Sequence, residues 1–284
     1  DIAIIGGGIM GLSTAISLKE EQPHLEVAIF ERGVLPSGAS TRNAGFACFA
    51  KADEMISDLK IQSKEEVIQL ALERYKGLEK LKRRLGPERL DLKNYGGYEL
   101  IFEKDEINLD LIEEINSWFD GEFNQPLFSL RDEKLKEFNF NGVKHLIYCP
   151  FEGQIHSGLT INNLMNLAKS KGIKIWTGAE VESFEELNSG YSLNISRKAN
   201  DLKINWICEK LVFCNNAWIS KCFPEYGIKP GRGQVLISKP IRSLKFKGSF
   251  HFDEGYYYFR NFEDRVLFGG GRNLDFTTES TYEI

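Results

Sequence analysis

The chain has 284 residues, of which 42% are hydrophobic and 12% aromatic. This length and composition exclude a disordered chain and predict a packed core, usually divided between two domains. The formal net charge is −5, and basic residues are dispersed along the chain, which argues against nucleic acid or an anionic membrane as the main partner.

The first 31 residues predict a βαβ unit. Residues 1–5 form an apolar run that ends at three glycines, as a buried parallel strand does. Apolar residues then recur at helical spacing until Gln22 and Pro23, and a second strand is predicted over residues 26–30. Because Glu31 ends this second strand, the unit has the context of a dinucleotide-binding motif.

Each glycine of this motif has a separate physical role. Gly6 permits the tight turn, Gly8 allows a pyrophosphate to approach the backbone, and Gly11 lets the helix pack close to the strand. The helix N-terminus offers free N–H groups and a positive dipole end to the diphosphate. Glu31 is placed to accept hydrogen bonds from a ribose diol. These features disfavour NADP but do not separate FAD from NAD.

Residues 38–46, Gly-Ala-Ser-Thr-Arg-Asn-Ala-Gly-Phe, are rich in small and polar side chains. This composition disfavours a helix or a strand and allows the backbone to approach a ligand closely. The alternative is an ordinary surface loop. Further along, Ser63 and Glu66 predict a capping box for a long helix that Gly86 and Pro87 stop. A strand over 98–102 and helices over 107–119 and 132–138 are also predicted.

The later part of the chain predicts a helix with its apolar face at Ile161, Leu164, Met165 and Ala168, ended by Gly172. Strands follow over 173–176 and 179–184. If residues 255–260 form a strand, Tyr256, Tyr258 and Arg260 share one face.

An arginine fork and a tyrosine hydroxyl can together bind a carboxylate, so this face is a candidate for holding an amino acid. The alternative is that the aromatic residues pack a sheet while Arg260 lies in solvent. The histidines lie at no spacing that suggests a metal, and His156 is expected to be structural. No nucleophile elbow, HExxH helix or P-loop lysine is present, so the chemistry is expected to come from a cofactor.

Five cysteines form no CxxC pair, which fits neither a disulfide framework nor a zinc site. Buried, inert thiols in a reducing compartment are the simpler interpretation. No apolar run reaches the roughly 18 residues of a membrane span, and no signal peptide is visible. We therefore expect a cytoplasmic protein without a membrane span.

With these motifs, and above all residues 38–46, the chain resembles the D-amino-acid oxidase superfamily of flavoproteins, which includes glycine oxidase and sarcosine oxidase. The resemblance implies non-covalent FAD, with residues 38–45 running beneath the flavin and the backbone of Val181 binding the adenine. The cofactor-binding residues that it implies, together with the motif, are Gly6, Gly8, Ile9, Met10, Gly11, Glu31, Arg32, Ser40, Thr41, Asn43, Ala44, Gly45 and Val181.

The resemblance also implies an α/β fold: a Rossmann-type FAD domain over 1–60 and 145–225, interleaved with a substrate domain on a mixed or antiparallel sheet over 61–144 and 226–284. It further implies a strand that turns into a short helix over 210–218, and strands of the substrate domain over 232–236 and 255–260. It implies hydride transfer from the Cα–H of a neutral amine or small amino acid to flavin N5, followed by hydrolysis of the imine. Tyr256, Tyr258 and Arg260 are then the candidate substrate-binding residues. Dioxygen, a quinone or an electron-transfer protein is the expected acceptor.

Family members carry a further glycine-rich strand and helix, and often a substrate arginine, beyond the position of this chain's last residue. We therefore expect the sequence to be a fragment. Two alternatives stay open: an FAD-dependent 2-hydroxyacid dehydrogenase resembling L-2-hydroxyglutarate dehydrogenase, and a non-catalytic dinucleotide-binding module.

Overall fold

The computed structural model describes residues 1–105, 107–197 and 201–283. Three short 3-10 turns span Asn216–Lys221, Pro224–Tyr226 and Arg272–Leu274. Within these residues, no helix combines the length and the apolar character that crossing a bilayer requires. The α-helices are α1 (Ile9–Glu21), α2 (Ala52–Asp58), α3 (Lys64–Leu90), α4 (Leu109–Ser117), α5 (Glu133–Phe138) and α6 (Ser157–Ser170).

Most strands are short, and they belong to four sheets. In chain order they are β1 (Ile2–Ile5), β2 (Val27–Glu31), β3 (Phe46–Ala47), β4 (Gly97–Phe102), β5 (Ser129–Leu130), β6 (Val143–Cys149), β7 (Gly153–Gln154), β8 (Lys174–Thr177), β9 (Glu180–Leu187), β10 (Gly190–Arg197), β11 (Leu202–Cys208), β12 (Lys210–Phe213), β13 (Val235–Ile237), β14 (Ser249–Phe252), β15 (Tyr257–Phe262) and β16 (Arg265–Gly269).

The chain divides into two compact units, and each is discontinuous. Unit 1 contains Asp1–Asn43, Ser157–Gly231 and the last residues from Ser280, whereas unit 2 contains Ala44–His156 and Arg232–Glu279. The first two boundaries differ from the predicted positions 60 and 145 because β3 and β7 pair with each other inside unit 2. That the units bind FAD and substrate, respectively, stays a prediction.

Unit 1 is built on a parallel sheet of order β12-β1-β2-β8. The predicted βαβ unit is present, with α1 between the two central strands. Its inward residues, including Leu12 and Ile16, are fully buried. A three-stranded antiparallel sheet of order β11-β10-β9 completes the unit. The predicted α/β fold class is confirmed.

Unit 2 contains a seven-stranded mixed sheet of order β13-β16-β15-β14-β4-β6-β5, in which only β14 and β4 are parallel neighbours. Alternate residues of β4 enter two different clusters. Tyr98 and Leu100 join an aromatic cluster around Phe250, whereas Ile101 joins a cluster with residues of α2, α3 and α4. This alternation follows the two-residue period of a strand, so the sheet has two differently covered faces.

Two local predictions differ from the structure. Helix α3 has its predicted capping box, but a further turn reaches Leu90 beyond a break at Gly86, whose φ of +77° is available to glycine at little cost. β15 begins at Tyr257 rather than at residue 255, because residues 253–255 all have positive φ and form a turn. The hairpin of β10 and β11 and the strands β6 and β14 were not predicted.

Candidate functional site

The glycine turn after β1 is close-packed, and two of its glycines leave no space for a side chain. Gly6 has φ of +109°, and a Cβ there would lie 2.5 Å from the carbonyl oxygen of Cys214. A Cβ on Gly11 would overlap the carbonyl oxygen of Gly6. The predicted roles of these two glycines, a tight turn and close helix–strand packing, therefore have a direct steric cause.

The N-terminus of α1 is open. Gly8 is its N-cap, and no acidic residue lies in the first turn. The N–H of Ile9 donates to Ser40 Oγ at 3.0 Å, which brings the segment after Glu31 to the turn. Met10 is 64% exposed. A positive dipole end, and a glycine beside which only the Ser40 hydroxyl lies within 3 Å of a built Cβ, form a suitable cradle for a diphosphate.

The carboxylate of Glu31 lies beside the same turn. One oxygen accepts the N–H of Gly7 at 2.9 Å, and the other accepts the N–H of Gly33 at 2.8 Å. These bonds fix the carboxylate, and each oxygen keeps a lone pair with which it can accept a ribose hydroxyl. The neighbouring Arg32 has its guanidinium carbon 3.7 Å from the ring centroid of Trp218, so its charge is held on an aromatic face.

The side chains of Thr41 and Asn43 hold the backbone of their own segment. Thr41 Oγ1 donates to the carbonyl of Pro36 at 3.1 Å, and Asn43 Nδ2 donates to the carbonyls of Ala39 and Ser40 at 3.0 Å. They therefore shape this segment, while Ser40 is the residue that reaches the glycine turn. A direct contact of Thr41 or Asn43 with a cofactor stays a prediction.

Val181 lies in β9, opposite Ile195, where a bulge shifts the register. β9 is an edge strand of its three-stranded sheet. The outer backbone groups of an edge strand have no strand partner and can bind an adenine edge. The predicted adenine contact thus has a chemically suitable backbone.

Gly45, Tyr258 and Arg260 lie together within unit 2. Arg260 is buried, at 5% exposure, and its Nη1 donates to the carbonyls of Gly45 and Ile155, each at 3.2 Å. The ring of Tyr258 packs edge-on against Phe46 at 5.8 Å, and burial raises the pKa of its phenol. The structure therefore places Tyr258 and Arg260 on one face of β15, and the alternative with Arg260 in solvent is wrong.

Tyr256 is a correction to the predicted strand face. It lies in the turn before β15, where its N–H donates to the carbonyl of Asp253 at 2.9 Å. Its ring contacts Phe276 edge-on at 6.2 Å rather than Tyr258 or Arg260. The turn has removed it from the alternation that a continuous strand would impose.

Two buried carboxylates near the segment that follows Gly45 were missed by sequence reasoning. Glu152 accepts the N–H groups of Phe49 and Ala50 at 2.9 and 3.1 Å, and burial raises its pKa to about 7. Glu99 accepts the N–H groups of Ala52 and Asp53 at 3.0 and 3.1 Å. The only sequence signal for Glu99 was that an acidic residue lies inside the apolar run of β4.

Residues 1–283 match the family model described as FAD dependent oxidoreductase, DAO. The chain is 24% identical over 258 residues to a glycine oxidase from Geobacillus kaustophilus strain HTA426, and the match covers 86% of this chain and 63% of that protein. The chain thus spans less than two thirds of the length of this curated relative.

Three solved structures are similar in fold. Glycine oxidase from Geobacillus kaustophilus has a TM-score of 0.69 at 21% identity, covering 95% of this chain and 72% of that one. L-amino acid deaminase from Proteus vulgaris has a TM-score of 0.68 at 18% identity, covering 96% and 60%. L-proline dehydrogenase from P. horikoshii has a TM-score of 0.66 at 18% identity, covering 100% and 71%.

Proposed function

This chain belongs to the DAO family of FAD-dependent oxidoreductases, and we propose that it oxidises the C–N bond of an amine or small amino acid with non-covalently bound FAD. The observation that carries the proposal is the open glycine turn at Gly6–Gly11 with Glu31 fixed beside it. The similar proteins described above are a glycine oxidase, an L-amino acid deaminase and an L-proline dehydrogenase, which supports the substrate class.

The residues of unit 1 fit the adenosine and diphosphate parts of FAD. In this proposal the diphosphate binds at the amides of Gly8, Ile9 and Met10 and displaces the Ser40 hydroxyl that accepts the N–H of Ile9. Glu31 accepts the ribose hydroxyls, and the edge of β9 at Val181 binds the adenine. In unit 2, the small side chains of Ala44 and Gly45 would let a flavin approach the backbone closely.

FAD, when bound, supplies a hydride acceptor at flavin N5. The chain's own residues then have to orient a neutral amine, neutralise a carboxylate and exclude water. Tyr258 carries a protonated phenol, since burial raises its pKa, and it can donate a hydrogen bond to a substrate oxygen. Arg260 Nε is buried without a hydrogen-bond partner in the described residues, so it retains one donor for a carboxylate.

Arg260 has a second role in this proposal, as a positioning residue. Its bonds to the carbonyls of Gly45 and Ile155 fix the backbone of the segment that is proposed to contact the flavin. A lysine, with a single point charge, cannot reproduce this planar set of donors. The two roles predict different defects, because loss of positioning affects flavin binding and loss of the carboxylate contact affects only substrate.

The test is anaerobic reduction of the bound flavin by a panel of small amino acids, secondary amines and 2-hydroxyacids. We expect a yellow protein whose flavin is bleached by an amino acid or amine. Tyr258→Phe should raise the substrate concentration for half-maximal reduction while flavin content is unchanged. Tyr226→Phe is the matched control, because this tyrosine is 64% exposed and lies in unit 1.

Bleaching by a 2-hydroxyacid alone would replace the proposal with the hydroxyacid dehydrogenase alternative. Folded protein that takes up no FAD would instead indicate a non-catalytic module. The acceptor follows from reoxidation of the reduced flavin by dioxygen, by a quinone or by an electron-transfer protein.

A further inference from the structure

Unit 2 contains a side-chain cluster that combines two carboxylates with an imidazole: Asp53, Glu99 and His251. One oxygen or nitrogen atom from each lies within 4.8 Å of the other two. The parallel pairing of β14 with β4 sets His251 opposite Glu99, and Asp53 belongs to the first turn of α2. Strand register and helix position therefore bring together three residues that are distant in the sequence.

The imidazole of His251 is buried with one unsatisfied ring nitrogen. The residue is 4% exposed, and its Nδ1 is buried without a hydrogen-bond partner in the described residues. A neutral imidazole nitrogen with a free lone pair is the form that ligates a metal ion.

Backbone amides hold both carboxylates of the cluster in place. Glu99 is 2% exposed and is fixed by the N–H groups of Ala52 and Asp53. Asp53 Oδ1 accepts the N–H of Glu54 at 2.6 Å. A bound cation would offset the repulsion between two carboxylates that lie so close together.

Lys51, two residues before Asp53, is a basic side chain near this cluster, and its charge is already paired. Its Nζ lies 2.9 Å from a carboxylate oxygen of Glu54. The ion pair of Lys51 therefore involves a residue outside the cluster. Asp53 also lines a cavity of about 640 Å³, which provides a path by which an ion can enter.

We propose that Asp53, Glu99 and His251 bind one divalent first-row transition-metal ion, for which Zn²⁺ is the probe. Carboxylate and imidazole together suit such an ion, whereas Mg²⁺ and Ca²⁺ prefer oxygen ligands alone. Three protein ligands leave a coordination position for water or a small ligand. This site does not depend on the proposed redox function, and sequence spacing had predicted no metal.

The test uses the purified chain without an affinity tag, treated with EDTA and dialysed, and titrated calorimetrically with Zn²⁺. We expect one equivalent to bind, and Co²⁺ in its place should show visible absorption bands. His251→Gln should weaken Zn²⁺ binding by at least about 100-fold, beyond the effect typical of losing an outer-shell partner. Asp53→Asn is the second variant, because Asp53 is half-buried and tolerates the change better than Glu99.

His145→Gln is the matched control, since the Nδ1 atom of His145 is already paired with Asp132 Oδ2 at 2.8 Å and His145 is not one of the three proposed ligands. It should keep the wild-type affinity. At a Zn²⁺ concentration of about 100 Kd, the unfolding midpoint of the wild type and of this control should rise by about 5–10 °C. The proposal would be overturned if the folded wild type takes up less than a tenth of an equivalent of Zn²⁺. It would also be overturned if Zn²⁺ uptake is unchanged in both His251→Gln and Asp53→Asn. Binding of Mg²⁺ without Zn²⁺ would likewise overturn it.

Discussion

Gly8→Ala is the perturbation that most directly tests the diphosphate cradle. Gly8 has φ of −76° and ψ of −172°, a conformation open to alanine, so the backbone is not strained. The new Cβ would lie 2.8 Å from Ser40 Oγ, and that hydroxyl can rotate away. The loss of folding free energy should therefore stay below about 1 kcal/mol.

The effect on FAD should be much larger. A methyl group at this position holds the diphosphate away from the amides of the first helical turn. A hydrogen bond to a charged group contributes about 1.5–3 kcal/mol, and 1.4 kcal/mol corresponds to a factor of ten in affinity. Loss of one such bond predicts that the Kd for FAD rises by about 10- to 150-fold.

The assay is titration of the apoprotein with FAD, followed by flavin fluorescence, beside a thermal unfolding scan. Gly77→Ala is the matched control, because nothing lies within 4 Å of a Cβ at this helical glycine. It should leave the Kd unchanged and stabilise the fold slightly. The double variant Gly8→Ala with Ser40→Ala distinguishes two causes of weaker FAD binding. One is that the new methyl group displaces the Ser40 hydroxyl, and the other is that it excludes the phosphate. A Kd for Gly8→Ala within threefold of the wild type would refute the cradle.

Gly11→Ala should lower the free energy of unfolding by about 1–3 kcal/mol or more, measured in urea, because its Cβ overlaps the Gly6 carbonyl oxygen; an unchanged midpoint would contradict the packing argument. Arg260→Lys should destabilise the fold by about 1–3 kcal/mol and reduce flavin content, since it removes bonds to two backbone carbonyls. A normal flavin content would exclude its positioning role. Burial raises the folded-state pKa of Glu152 to about 7, above its value of 4.5 in the unfolded chain, so the wild type should lose stability as the pH rises from 4.5 through about 7. Glu152→Gln should abolish this pH dependence. The difference in unfolding free energy between pH 5 and 8 is about 2.5 kcal/mol in denaturant unfolding, and equal pH slopes for both proteins would refute it.

The two buried glutamates give one segment of unit 2 an unusual form of support. Glu152 and Glu99 together accept the amides of Phe49, Ala50, Ala52 and Asp53, just before and at the start of α2. Both acids have raised pKa values because they are buried. The conformation of this segment is therefore expected to respond to pH in the range where Glu152 ionises.

Local sequence determined the βαβ unit, the capping box of α3 and the apolar face of α6. These features follow from residues within a few positions of one another: the three glycines after an apolar run, Ser63 with Glu66, and Leu164 with Ala168. The role of Gly11 was also predictable, because a glycine at that position of the motif is commonly required for close packing of the helix against the strand. Short-range periodicity carries this information because the backbone hydrogen bonds are themselves local.

Register and burial were decided only by the tertiary structure. The sequence placed Tyr256 on the face of Tyr258 and Arg260, but a turn with positive φ removed it from the strand. The sequence also did not decide whether Arg260 lies in solvent or in a binding site. The fold buries it against the carbonyls of Gly45 and Ile155. The meeting of Glu99 with His251 depends on β14 lying parallel to β4, and nothing in either strand alone specifies that neighbour. Pairing between distant strands is set by the packing of the whole unit, so contacts that depend on it are invisible to any short window of sequence.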